Sequence, residues 1–218
     1  MAKVLLDVRE STPTVNCLIE LGLKNLKSLV NDQRKAFLKK KMTEPDMDEP
    51  FHIMMEICKR KNTNSYKMIK KCIDDRVTDV LSPKDICLGK DDTHTKFVIY
   101  RTVMNEGLSV HPVYMKGCLV PDYKRVYFTR LRLLSHNLMS EKGRWSRTPA
   151  NERVCQCNNF SVQDEHHILL VCPKTQNIRH KFTQKLHLRQ ETMIKDIMRH
   201  GDISSVCDFI HQSMVIFD

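Results

Sequence analysis

The chain has 218 residues, with 36 Lys and Arg against 26 Asp and Glu, for a net charge of +10. That length accommodates one large domain or two small ones, and the cationic surplus favours polyanionic partners without choosing among RNA, DNA and an anionic membrane. Nine cysteines, an odd number with no signal peptide ahead of them, argue against a disulfide-stapled secreted fold, and no apolar run is long enough to span a bilayer. The expected setting is therefore intracellular, cytoplasmic or nuclear, without membrane attachment.

The first periodic segment opens at Ser11-Thr12-Pro13, a cap candidate with proline at the first turn. Val15, Leu18, Leu26, Leu29 and Phe37 then predict one face of a single long helix, whose basic end at Arg34-Lys35 and Lys39-Lys40-Lys41 suits the negative helix pole. Thr43 to Pro50, acidic with two prolines, reads as a linker or exposed loop. Two shorter helices are predicted, Phe51 to Arg60 and Ser65 to Asp74. The pattern weakens from Val77 to Asp92, where Ser82-Pro83 and Gly89 are breakers. Lys96 to Met104 is helical again and should stop at Asn105-Glu106-Gly107. With no repeat and few β-like runs, the fold class is mainly α, divided into a helical region over 1–119 and a smaller helical domain over 120–218.

A better-defined helix starts at Pro121-Asp122. About 100° per residue places Tyr123, Tyr127, Leu131, Leu134 and Leu138 on one apolar stripe, with Lys124, Arg125 and Arg132 beside it and Arg130 on its other border. A cationic loop follows, Lys142-Gly143-Arg144-Trp145-Ser146-Arg147, carrying the only tryptophan. The terminal segment has two apolar strips, Met193, Ile194, Ile197, Met198 and then Val206, Phe209, Ile210, Met214, which read first as core and secondarily as a partner surface.

The chemistry-bearing cluster lies between them. Cys155 and Cys157 flank one residue, Asn158-Asn159 permits a tight turn, and an apolar run, Ile168 to Val171, separates His167 from Cys172 and the Pro173 after it. Read as C-x-C…H-x4-C, this is a three-thiolate, one-imidazole set near the start and end of a short helix, of the kind that holds structural Zn2+. His166 is an alternative ligand with gaps shifted by one, and buried thiols beside a surface histidine are the metal-free alternative. Catalytic zinc is disfavoured because three thiolates make the ion a weak Lewis acid, even with Glu165 as a possible base. A deaminase pattern fails because residue 169 is leucine. The sequence also lacks a P-loop, a nucleophile elbow and a dinucleotide fingerprint, so no enzyme activity is expected.

The run from Tyr127 to Lys181, with Arg130-Leu131-Arg132, Ser135-His136-Asn137-Leu138, Gly143-Arg144-Trp145, the cysteines, Asp164-Glu165-His166-His167, Cys172-Pro173 and Arg179, resembles the C-terminal region of non-LTR (LINE-like) retrotransposon polyproteins, downstream of their reverse transcriptase. The resemblance covers roughly the last 100 residues, while residues 1–119 are similar to the family's helical linker only loosely. It implies an arginine-rich helix leading into a zinc knuckle, with Arg130 and Arg132 as the arginine pair, Cys155, Cys157, His167 and Cys172 as ligands, and Arg179 as a trailing arginine. It favours His167 over His166, although the Cys157-to-His167 gap is longer than the family's. Polymerase chemistry does not carry over, because Asp74-Asp75 and Asp91-Asp92 lack the aromatic context of a metal-binding aspartate pair.

The expected function is non-catalytic binding of RNA or DNA, with RNA preferred, through Arg125, Arg130, Arg132, Arg144, Trp145, Arg147 and Arg179. The bland alternatives are Trp145 as a core cap, Arg130 and Arg132 as partners of acids such as Asp164 and Glu165, and Lys124 and Arg179 as ordinary solvated charge. The alternative functions are a helical scaffold or homodimer whose zinc is only a staple, and a retroelement fragment without function.

Overall fold

The computed structural model describes residues 2–43, 49–73, 81–115, 117–158 and 160–218. The acidic stretch 44–48, Asp74-Asp75, the start of the weak region at 77–80 and Asn159 lie outside the described residues. Helices dominate, as the composition and periodicity imply, and among the described residues β pairing is limited to one antiparallel bridge, Val154 to Val162. The chain divides into two units, residues 24–86 and the combination of 1–23 with 87–218, so residues 119 and 120 both lie inside the larger one.

The larger unit begins with α1 (Ala2–Leu5) and α2 (Thr14–Glu20). The long helix predicted from Val15 to Phe37 breaks after α2. Gly22 adopts φ +63°, Gly22 N–H bonds Ile19 O at 3.1 Å and Leu23 N–H bonds Leu18 O at 2.8 Å, a Schellman ending that needs a left-handed residue. A Cβ there would also stand 2.8 Å from Val110 Cγ2.

The smaller unit holds α3 (Leu26–Thr43), α4 (Glu49–Arg60) and α5 (Asn64–Ile73), with α5 packed on both others. Asn25 Oδ1 accepts Ser28 N–H at 2.8 Å and so caps α3. Ser82 and Asp85 form a reciprocal capping box at the start of α6 (Pro83–Leu88), so the Ser82-Pro83 pair begins a helix rather than only ending one.

Helix α7 (Thr95–Ile99) widens into a π-helical turn, Tyr100–Met104, closed by Asn105 N–H to Tyr100 O at 2.6 Å, and ends where the Asn105-Glu106-Gly107 signal places it. The next long element, α8 (Asp122–Arg132), stops before Leu134 and Leu138. Leu134 sits at φ +52° in a second Schellman turn, with Ser135 N–H on Arg130 O at 2.7 Å. Leucine in that conformation costs about 1–2 kcal/mol, and burial of its side chain together with a 3.0 Å bond from Lys96 Nζ to its carbonyl holds it there.

Helices α9 (Met139–Trp145), α10 (Gln176–Phe182), α11 (Ile194–Met198) and α12 (Ile203–Val215) complete the unit. The core forms where α12 packs along α8 and α10: Phe128, Leu131, Phe209 and Ile210 are fully buried, and the Phe182 and Phe209 rings sit 5.6 Å apart. The two terminal apolar strips are mostly core; Met193 alone among their members is exposed. Tyr123 also departs from the apolar stripe, being exposed against the edge of His211.

Candidate metal centre

A β-turn knuckle presents the first two thiols. Cys155 N–H bonds Ser161 O at 2.8 Å and Gln163 N–H bonds Arg153 O at 2.8 Å, so the strands around Val154 and Val162 pair and close a short loop. Asn158 tightens the loop by accepting the N–H groups of Phe160 and Ser161, both at 3.1 Å. The expected short helix is present but wider than an α-helix. Asp164 Oδ1 caps it by accepting His167 N–H at 2.8 Å, and residues His167–Val171 form a π-helical turn that closes with Cys172 N–H on His167 O at 2.7 Å. An α-helix would separate residues five apart by about 140° around its axis. The wider turn, followed by extended backbone at Cys172 (ψ 128°), brings both side chains to one side.

The result is a four-ligand cluster. One ligand atom from each of Cys155, Cys157, His167 and Cys172 lies within 4.8 Å of all the others, so these side chains could hold a metal ion. Cys155 Sγ and Cys172 Sγ are 3.8 Å apart, and Cys157 Sγ is 3.2 Å from His167 Nε2. Cys155, Cys172 and His167 are buried, and Cys157 is half-buried. Desolvation first, then hydrogen bonding and repulsion from Cys155 and Cys172, push the Cys157 thiol up to about 12, while burial lowers the His167 pKa and so favours its neutral form. Neutral imidazole is the ligating form, and thiols crowded this way ionise readily only around a cation. His166 is not part of the cluster.

The cluster is wired into the cationic loop through contacts that the sequence gives no means to foresee. Gln163, beyond the knuckle, accepts Met139 N–H on Oε1 at 2.8 Å and Ser140 N–H on its backbone oxygen at 3.1 Å, capping α9. Arg153, just before the knuckle, donates from Nε and Nη2 to Thr148 O at 2.9 and 2.8 Å. Its side chain lies so close to Gly143 that an added Cβ would stand 2.5 Å from Nε. His136 Nε2–H donates to Glu165 Oε1 at 2.6 Å, next to the capped turn. Burial opposes the Glu165 carboxylate, but the charge and hydrogen bond of His136 outweigh it and the net shift is downward.

Most of the arginines expected to face a nucleic acid are held by partners within the fold. Arg132 is the clearest correction. Its side chain is 4% exposed and pairs through Nε with Glu20 at 2.7 Å, while Nη1 donates to Met104 O, so it braces the core and offers nothing to a phosphate. Arg130 pairs with Asp7 at 2.9 Å, not with Asp164 or Glu165. Arg125 pairs with Asp122 one turn earlier, and Arg144 with Glu141 at 3.2 Å. Arg179 donates to Thr175 Oγ1 at 2.6 Å and Val171 O at 3.3 Å, clamping the turn that carries Cys172. Arg147 is exposed at φ +56°, and no hydrogen bond or ion pair engages its side chain among the described residues. Trp145 is 43% exposed, with the guanidinium carbon of Arg9 3.6 Å from its ring centroid. Arg9 comes from a segment where the sequence carries no binding motif.

Among the described residues no helix is long and apolar enough to cross a membrane. No protein family, curated protein or solved structure matches the chain.

Proposed function

We propose that the cluster holds a structural zinc ion and that the chain is a non-catalytic nucleic-acid-binding module, with RNA as the preferred ligand. One observation carries the reading: four zinc-type ligands converge on a point beside an exposed cationic, aromatic segment and are joined to it by Gln163 and Arg153. Sulfurs bound to tetrahedral zinc at 2.3 Å stand about 3.8 Å apart, and a sulfur–nitrogen pair about 3.6 Å apart. The Cys155–Cys172 distance of 3.8 Å already matches, and the Cys157–His167 distance of 3.2 Å has to open by a few tenths of an ångström. Bound zinc would supply a cross-link between the knuckle and the π turn, fixing Arg144, Trp145 and Arg147 through α9. The likeness of residues 127–181 to the tail of LINE-like polyproteins supports the same reading, with His167 as the ligand.

A second reading has its own support. Five of the six arginines expected to bind are paired inside the protein, which suits a helical scaffold with zinc as a staple only. Metal analysis of the purified chain, with Cys157→Ser and His167→Ala, tests the site. The expected result is one zinc per chain, lost in both variants and kept in His166→Ala. A chain without stoichiometric zinc removes the premise. Filter binding to RNA separates module from scaffold, since the scaffold binds none.

A further inference from the structure

Trp145 is the only tryptophan of the chain and ends α9 with nearly half its surface in solvent, although indole is among the side chains with most apolar area to bury. The ring is nonetheless fixed. Arg9 lies against it at 3.6 Å, and Arg9 is itself anchored, its N–H on Ser135 Oγ at 2.9 Å and its Nη2 on Asn137 Oδ1. The Nη1 group of Arg9 is out of solvent with no hydrogen-bond partner among the described residues, a state best tolerated against the electron-rich face of a ring. Arg144, Ser146 and Arg147 are all exposed around the indole. A cation thus occupies one face of the ring, and the exposed chain next to it carries Arg147 and the Glu141-paired Arg144.

We propose that Trp145, backed by Arg9, is a platform for an unpaired base, so that the partner of this module is single-stranded nucleic acid. This rests on the nucleic-acid reading above. A base stacks on the outward part of the indole while Arg147, which has no ion-pair partner among the described residues, meets the adjacent phosphate. A duplex is excluded because its bases are stacked on one another and present no free π face. Nor is α9, at seven residues, long enough to run along a groove. Holding the ring in place beforehand removes the ordering cost that a mobile tryptophan would carry.

The 218-residue, zinc-loaded chain is titrated with a short single-stranded RNA and with the same strand annealed to its complement. Trp145 fluorescence and filter binding are followed in parallel. The single strand is expected to quench Trp145 and to bind in preference to the duplex. Trp145→Ala should weaken single-strand binding roughly five- to hundredfold, the range for one stacked base, with little change for the duplex, and Trp145→Phe should keep most of the affinity. Zinc content and melting temperature show that the variants are folded; if Trp145→Ala is not, Trp145→Phe and the wild-type quenching decide. RNA binding with unchanged Trp145 emission and wild-type affinity in Trp145→Phe and Trp145→Ala overturns the platform but leaves the nucleic-acid reading standing, as does preference for the duplex. No binding of either ligand overturns both.

Discussion

Replacing Glu20 with alanine should be among the most destabilising single changes in the chain. Glu20 is fully buried, and its Oε1 accepts three donors: Arg132 Nε at 2.7 Å, Tyr100 O–H at 2.6 Å and Asn105 Nδ2 at 3.1 Å. Burial pushes its carboxyl pKa up, and the charge of Arg132 with the hydrogen bonds from Tyr100, Arg132 and Asn105 opposes that shift. Removal strands a guanidinium that is 4% exposed, together with the phenol proton of a fully buried tyrosine. Breaking one side of a buried ion pair costs about 3–5 kcal/mol, a large fraction of a typical domain stability of about 5–15 kcal/mol. For a chain of this size the melting temperature should fall by about 6–20 °C. Urea and thermal melts of Glu20→Ala measure this directly. The cause is the stranded cation rather than a lost attraction, so Glu20→Ala with Arg132→Met should recover at least about 2 kcal/mol relative to the sum of the single changes. A Glu20→Ala loss below about 1 kcal/mol, or strict additivity in the double variant, would refute the assignment of this pair as the brace between α2 and α8.

Two further changes test how the site is supported. Gly143→Ala puts a methyl group within 2.5–2.6 Å of Arg153 Nε, Cδ and Cγ, and displacing that side chain breaks its bonds to Thr148 O. The expected loss is about 1–3 kcal/mol, read by denaturant melts, with weaker retention of zinc under a chelator; unchanged stability and retention would detach Arg153 from the knuckle. Asp202 caps α12 by accepting Ser205 N–H at 3.0 Å, and that hydrogen bonding holds its carboxyl below the usual range. A depressed pKa gives stability that is complete above the unfolded value near 3.9 and lost as pH falls through the folded value. Asp202→Ala should therefore cost about 0.5–2 kcal/mol at neutral pH, with the gap to the parent closing below about pH 3–4; a gap that persists in acid contradicts the cap.

The sequence made the metal cluster legible because its ligands lie within 18 residues, from Cys155 to Cys172, and local spacing alone brings them together. Helix positions were legible for the same reason wherever apolar period and caps agree, as at α4, α5 and α12. The failures are of two kinds. The ending at Leu134 carries no glycine, so nothing local marks the Schellman turn that shortens α8, whereas the ending at Gly22 carried its signal and was overridden by a period that runs through it by coincidence. The partners of Arg130 and Arg132 are not legible in the sequence, because a guanidinium looks the same there whether it meets a phosphate or a carboxylate. Glu20 and Arg132 are 112 residues apart, and Asp7 and Arg130 are 123 apart. Only the packing of α8 against the first two helices brings them together.

That redistribution of charge changes what a binding measurement should show. If Arg125, Arg130, Arg132, Arg144, Arg147 and Arg179 all neutralised phosphates, single-stranded RNA affinity would fall with salt at a slope of about −4 in log–log terms, from about −0.7 per contact. In the structure Arg132 is buried under Glu20, Arg130 is spent on Asp7, Arg179 on the turn beside Cys172, and Arg125 on Asp122. Arg144 is likewise spent on Glu141, so the cations left in the segment around Trp145 are Arg147 and the half-buried Lys142. Two contacts give a slope of about −1.4. Arg147→Gln should flatten it by about one contact, since that side chain has no partner among the described residues to lose. A salt series on the parent chain and on this variant decides between the two distributions. A slope near −4 would mean that the internal ion pairs open on binding. A slope near zero would mean that this surface does not meet phosphates, and the scaffold reading would then stand.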